Sequence, residues 1–65
     1  MRFGDRLREL RKEKHMSQIA LAEKIGMERT YLSLLENGKK EVCLRMIELL
    51  AMGLEVPLRR VFWDL

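Results

Sequence analysis

The chain has 65 residues, of which 48% are hydrophobic and 35% charged, so it makes one small domain and is too short to bury a large core. Its single cysteine excludes an intrachain disulfide, and one cysteine with one histidine cannot supply the four ligands of a zinc site, so we expect no metal and no other cofactor. The net charge is +3, and because residues 1–40 carry 10 Lys/Arg against 6 Asp/Glu, that part of the chain favours an anionic partner.

Apolar residues recur at helical spacing throughout, which predicts a compact all-α bundle of five short helices in a single domain over residues 1–65. The predicted helices cover residues 3–14, 18–25, 28–36 and 44–53, followed by a short helix that Pro57 opens. Their inward-facing residues are predicted to be Phe3, Leu7 and Leu10, then Leu21, Ala22 and Ile25, then Tyr31 (in part), Leu32 and Leu35, then Leu44, Ile47, Leu50 and Ala51, and last Leu58, Val61 and Phe62.

The second and third helices form the most informative part of the sequence. Ser17 is a good N-cap for the second helix, and Gly26 is suited to the left-handed residue that ends it. Glu28 and Cys43 are poor N-caps for the third and fourth helices, so tertiary packing must hold those ends. Two short helices joined by a tight turn, with the small Ala22 where they touch, predict a helix-turn-helix motif over about residues 18–37.

Segments along nearly the whole chain resemble the Cro/CI-type helix-turn-helix family, which includes the lambda- and 434-repressor-like domains. The matching segments are RLRELRKEK, SQIALAEKIG, ERTYLSLLENGKK and VPLRRVF. Within the family, ERTYLS and MIELLAMGLEV are similar to the controller proteins of restriction–modification systems. The chain departs from the family pattern at His15, where a helix-ending glycine is common, and at Ile19, Ala20, Leu34 and Cys43.

The resemblance implies a sequence-specific transcription regulator that binds double-stranded DNA as a homodimer on a pseudo-palindromic operator. The third helix would lie in the major groove, with Arg29 donating two hydrogen bonds to a guanine. The expected base contacts are Glu28, Arg29, Thr30, Ser33 and Leu34. The alternative for Arg29 is a surface salt bridge.

Affinity for DNA requires cations and N–H donors directed at phosphates. The start of the second helix offers such donors, and the resemblance implies that Gln18 reaches a phosphate there. The expected phosphate contacts are Ser17, Gln18, Tyr31, Asn37, Lys39 and Lys40. The alternative for the two lysines is a solvated loop. The resemblance also implies that Arg11 and Glu36 form a structural ion pair between the first and third helices.

Apolar residues beyond the needs of the core predict a partner surface on the last two helices. The expected homodimer interface is Leu49, Met52, Val56, Arg60, Val61 and Trp63. The alternative is an apolar monomer surface, with Trp63 folded back on the core. A second function remains open, in which the chain is an antitoxin-type module that masks a partner protein.

Several other classes of function are not expected. No segment approaches the roughly 20 apolar residues of a membrane span, no signal peptide is evident, and a free thiol is typical of the cytoplasm. His15 and Cys43 lie far apart in the sequence and no Gly-rich phosphate loop occurs, so we expect no enzyme. We also expect no small-molecule effector, because there is no room for a separate effector domain.

Overall fold

Five helices and the turns between them make up the computed structural model, which describes residues 2–62. The helices are α1 (Phe3–Glu13), α2 (Gln18–Ile25), α3 (Arg29–Glu36), α4 (Leu44–Leu54) and α5 (Leu58–Phe62). All five predicted helices are present at nearly the predicted bounds, which confirms the all-α five-helix fold. Among residues 2–62 no helix has the length and apolar character needed to cross a membrane.

The turn between α2 and α3 is built as its sequence indicates. The Ser17 hydroxyl oxygen accepts a hydrogen bond from the Ala20 N–H at 3.0 Å and caps α2. Gly26 ends α2 with φ 71°, a left-handed conformation that costs glycine nothing because it has no Cβ. The Met27 N–H then donates to the Ala22 carbonyl at 2.8 Å, which closes a tight turn. Neither Glu28 nor Cys43 caps its helix through a side chain.

The helices pack in pairs around one apolar core. α1 packs on α3 and α5, α2 packs on α3 and α4, and α4 packs on α5. The buried core side chains are Leu7, Leu10, Leu21, Ala22, Leu32, Leu35, Ile47, Leu50, Ala51, Leu54 and Val61. This core holds both helices of the helix-turn-helix against the other three.

Two residues predicted to face inward do not. Leu44 is 60% exposed, and the first buried residue of α4 is Ile47, about one turn further along. Leu58 in the first turn of α5 is 37% exposed, whereas Val61 one turn later is fully buried. The predicted burial of the Phe62 side chain lies outside what the structure describes.

Candidate nucleic-acid interface

Helix α3 has one buried face and one accessible face. Leu32 and Leu35 are buried in the core, while Arg29 and Thr30 in the first turn are exposed. All five residues predicted to contact bases retain accessible surface. Glu28, Arg29 and Thr30 are exposed, and Ser33 and Leu34 are half-buried. The start of α3 therefore presents polar side chains on a helix whose opposite face is fixed by the core.

A buried ion pair joins α1 to the end of α3. Arg11 Nε lies 2.6 Å from Glu36 Oε2, and Arg11 Nη2 lies 3.0 Å from Glu36 Oε1. The third guanidinium nitrogen, Arg11 Nη1, donates to the Met16 carbonyl at 2.8 Å. The two parallel bonds fix the geometry of both side chains, because a guanidinium and a carboxylate are both planar.

The Glu36 carboxylate accepts hydrogen bonds from donors on two other helices, α1 and α2. Gln18 Nε2 donates to Glu36 Oε1 at 3.0 Å from the start of α2. Burial by itself would raise the pKa of Glu36, but the hydrogen bonds from Arg11 and Gln18 and the charge of Arg11 outweigh it and lower the pKa below its ordinary value. The carboxylate is therefore ionised at neutral pH and connects α1, α2 and α3.

The start of α2 retains the groups that suit it to an anion. The first N–H groups of any α-helix have no partner within the helix, and here Ser17 satisfies only that of Ala20. The bond from Gln18 to Glu36 uses one of the two N–H groups on its side-chain amide and holds that amide in place. Within residues 2–62 the second N–H group of this amide makes no hydrogen bond, so it is free to donate to a ligand.

The other predicted phosphate contacts, in α3 and just after it, differ in exposure and in bonding. Lys39 and Lys40 are exposed in the loop that follows Gly38, and Tyr31 is half-buried against the core. Asn37, a predicted phosphate contact, has both ends of its amide engaged within the protein. Its Nδ2 donates to the Ser33 carbonyl at 2.9 Å, and its Oδ1 accepts from Arg8 Nη2 at 3.0 Å.

Arg8 is a member of this network that sequence reasoning missed. Its Nε lies 3.5 Å from Glu36 Oε1, in addition to the bond to Asn37. The available signal was its spacing, because Gly4, Arg8 and Arg11 fall at i, i+4 and i+7 and so share one face of α1. The two partners, at the end of α3 and just after it, lie 28 and 29 positions further along the chain, which no local pattern specifies.

The predicted dimer surface is present only in part. Met52 is 67% exposed, and Leu49 and Val56 are half-buried, so these three remain available to a partner. Val61 is fully buried in the core, so the prediction that it lies in the interface is wrong. It lies in the apolar core, on a helix that packs on α1 and α4, which confirms the prediction that it faces inward.

Arg60, also predicted to lie in the interface, pairs with Glu13 on α1 at 3.1 Å. Trp63 lies outside the described residues. An apolar depression of about 320 Å³ adjoins Met52, between α2 and α4. It is lined by Lys24, Ile25, Leu49, Met52 and Gly53.

Comparison with known proteins gives consistent results. The helix-turn-helix family matches residues 7–61. The control protein C.MunI of a Mycoplasma species is 44% identical over 66 residues, a match that covers 100% of this chain and 89% of that protein.

Solved structures agree with this match. The restriction-modification controller protein C.AhdI of Aeromonas hydrophila superposes with a TM-score of 0.88 at 43% identity, covering 92% of this chain and 91% of that one. SinR, a master regulator for biofilm formation whose structure was solved in complex with DNA, superposes with a TM-score of 0.85 at 31% identity, covering 92% and 97%.

Proposed function

This chain belongs to the helix-turn-helix family, and on that premise we propose that it is a transcription regulator that binds a specific sequence of double-stranded DNA. Membership confirms the resemblance to the Cro/CI-type domains. The relatives described above are a control protein, a controller and a regulator rather than enzymes, as expected for this chain.

The observation that carries the proposal is the placement of the start of α3. Arg29 and Thr30 are exposed on a helix whose last residue, Glu36, is held to α1 by a buried hydrogen bond and to α2 by a partly buried one. A recognition helix must be accessible at its start and rigidly held, because base readout depends on side chains placed within a few tenths of an ångström. Both conditions are met here.

Roles for the exposed residues follow from their chemistry. Arg29 donates two hydrogen bonds to guanine O6 and N7, and Thr30 offers a methyl group to thymine. Leu34 contacts a thymine methyl group, and Glu28 accepts a hydrogen bond from cytosine N4. Phosphates are bound by Gln18 and the first N–H groups of α2 on one side of the motif and by Lys39 and Lys40 on the other.

The protein acts as a homodimer on a pseudo-palindromic operator. A twofold dimer places two copies of α3 about 34 Å apart on one face of the duplex, one turn of B-DNA. The interface is built around Leu49, Met52 and Val56, with Leu58 in place of the buried Val61. C.AhdI is a restriction-modification controller protein and C.MunI is named a control protein, which supports the same role for this chain.

Selection of bound duplexes from a random pool, followed by footprinting, tests the proposal. We expect one pseudo-palindromic sequence to be enriched. Binding to it should be strongly salt-dependent, with a log–log slope of about −7 for a dimer that makes on the order of 8 phosphate contacts. A slope near zero, with no enriched sequence, would contradict DNA binding and favour an antitoxin-type module that covers a partner protein through Met52 and its neighbours.

A further inference from the structure

One face of α1 lies directly against the last turn of the recognition helix. At Gly4 a Cβ atom would lie 2.5 Å from the Glu36 carbonyl oxygen and 2.6 Å from the Leu35 carbonyl oxygen, so only glycine permits this approach. One turn further along α1, Arg8 reaches the residues that end α3. The close approach of the Gly4 and Glu36 backbones therefore brings α1 near enough to α3 for Arg8 to reach these residues.

Arg8 determines how the Asn37 side chain is oriented. A guanidinium has donors and no acceptor, so the Asn37 atom that lies 3.0 Å from Arg8 Nη2 must be the amide oxygen Oδ1. The amide nitrogen Nδ2 consequently points to the other side, toward Ser33. This removes the ambiguity between oxygen and nitrogen that an asparagine amide otherwise has.

The oriented amide contacts Ser33 at two atoms. Asn37 Nδ2 donates to the Ser33 carbonyl at 2.9 Å and lies 3.4 Å from the Ser33 hydroxyl oxygen Oγ. The second contact is long for a hydrogen bond, so it biases the hydroxyl and does not lock it. Since the amide supplies a donor, Oγ takes the part of acceptor in this contact.

The hydrogen of the Ser33 hydroxyl is left for another partner. Within residues 2–62 the structure contains no hydrogen bond that Ser33 Oγ donates. Ser33 is half-buried and lies one turn after Arg29, on the helix that we assign to the major groove. Its donor is therefore available to a molecule that covers α3.

We propose that Arg8 and Asn37 are positioning residues that hold Ser33 as a hydrogen-bond donor to an acceptor atom of the DNA. The inference rests on the DNA-binding function proposed above and specifies the chemistry of one of its contacts. The acceptor is purine N7, guanine O6 or thymine O4 on a base edge, or an oxygen of a phosphate. The amino groups of adenine and cytosine are excluded, because they are donors.

A double-mutant cycle on DNA affinity tests whether Asn37 acts on the DNA through Ser33. The variants are Ser33→Ala, Asn37→Ala and both together, measured on the selected duplex and on duplexes that change one base pair at a time. Ser33→Ala should weaken binding about 10-fold for the dimer, and Asn37→Ala should weaken it by less, because the hydroxyl is biased and not locked. Adding Asn37→Ala to Ser33→Ala should weaken binding hardly further, because the contact that Asn37 supports is already lost. A lost preference at one base pair identifies a base edge, and an equal loss on every duplex identifies a phosphate.

Arg8 is tested by variants that separate positioning from charge. Arg8→Met should reproduce the effect of Asn37→Ala, whereas Arg8→Lys keeps a donor for Asn37 Oδ1 and should retain most of the affinity. Lys12→Met, an exposed lysine on the same helix, is the matched control for the loss of one positive charge. Thermal unfolding of each variant separates lost affinity from lost folding.

The outcomes that would overturn the proposal are distinct from failure of DNA binding itself. Ser33→Ala without effect on any duplex would overturn it, and so would losses from Ser33→Ala and Asn37→Ala that simply add. A failure of the unaltered protein to enrich any duplex would instead contradict the proposed DNA-binding function.

Discussion

The two sides of the molecule are stabilised by different kinds of interaction. On the α1–α3 side, charged groups are buried and bonded several times over, with Glu36 at the centre. On the α4–α5 side, ion pairs such as the one between Arg60 and Glu13 lie on the surface, and Met52 is an apolar side chain exposed to solvent. The first arrangement fixes geometry, and the second leaves apolar area that a partner can bury. Base-specific contact with DNA needs fixed geometry, and dimerisation needs exposed apolar area. We call the α1–α3 side the polar side and the α4–α5 side the apolar side.

The largest expected effect comes from placing charges on the exposed apolar surface of the α4–α5 side. Replacing Leu49 and Met52 together with aspartate should yield folded monomers, because both side chains have accessible surface and lie outside the core. Losing the second half-site should weaken operator binding by roughly 10³-fold, which is the gain expected of bivalent attachment. Sedimentation across micromolar concentrations measures the assembly, and titration of the operator measures the affinity.

Leu44→Asp is the matched control for this change. Leu44 is a leucine on the same helix and is 60% exposed, but it lies in the first turn, away from Leu49 and Met52. The dimer should survive this substitution. An unaltered protein that stays monomeric at every concentration, both free and on DNA, would contradict the dimer.

The next largest effect comes from removing the Glu36 carboxylate at the centre of the α1–α3 side. Glu36→Ala should destabilise the fold by about 3–5 kcal/mol, because it leaves the buried Arg11 without its carboxylate. Arg11→Ala should cost less, because Gln18 still donates to Glu36. Denaturant unfolding of both variants and of the double variant gives the coupling energy, and a coupling of zero would mean that the pair contributes no mutual stabilisation.

The two sides also differ in how far they could be predicted from sequence. The helices were predictable because leucines at helical spacing leave a bundle few alternatives. Periodicity shows which side of a helix faces inward but not where along the helix burial starts, so Leu44 was wrongly placed in the core. The same periodicity correctly placed Val61 inward, and the separate prediction of Val61 in the interface was wrong. The links of Arg8 to Glu36 and Asn37 depend on how two helices cross, which a single sequence does not encode locally.

A smaller effect distinguishes a side chain that contacts a base from one that contacts a phosphate. Arg29→Ala should cost roughly 1–3 kcal/mol per half-site and relax the preference at one base pair, because a bidentate contact to guanine is lost. Lys39→Ala should instead weaken all duplexes about equally, since a phosphate contact carries no sequence information. Neither should change stability measurably, because both side chains are exposed. If Arg29→Ala selects the same sequence as the unaltered protein, Arg29 does not read a base.

The polar side should also respond to acid. The pKa of Glu36 is lowered in the folded protein, so its ionised form adds stability that is fully present above the ordinary value of 4.5. That contribution is lost as the pH falls through the lowered pKa, because the unfolded chain then takes up the proton first. The free energy of unfolding, measured from pH 6 down to pH 3, should fall less steeply for Glu36→Gln than for the unaltered protein. Equal slopes would mean that Glu36 titrates alike in the folded and unfolded chains.

The smallest predicted effect lies beside the polar network and leaves it intact. His15 has φ 57°, a left-handed conformation in which a side chain is disfavoured, and it immediately precedes Met16, whose carbonyl accepts from Arg11. His15→Gly removes the crowding of Cβ against the backbone, and it should raise stability by about 0.5–1 kcal/mol, net of the greater freedom that glycine gives the unfolded chain. Affinity for the operator should not change, because the backbone and the bond from Arg11 to Met16 are retained. Denaturant unfolding together with an operator titration measures both quantities. A loss of stability would show that the side chain of His15 contributes more than its conformation costs, and a changed affinity would show that the end of α1 is coupled to the reading surface through Arg11.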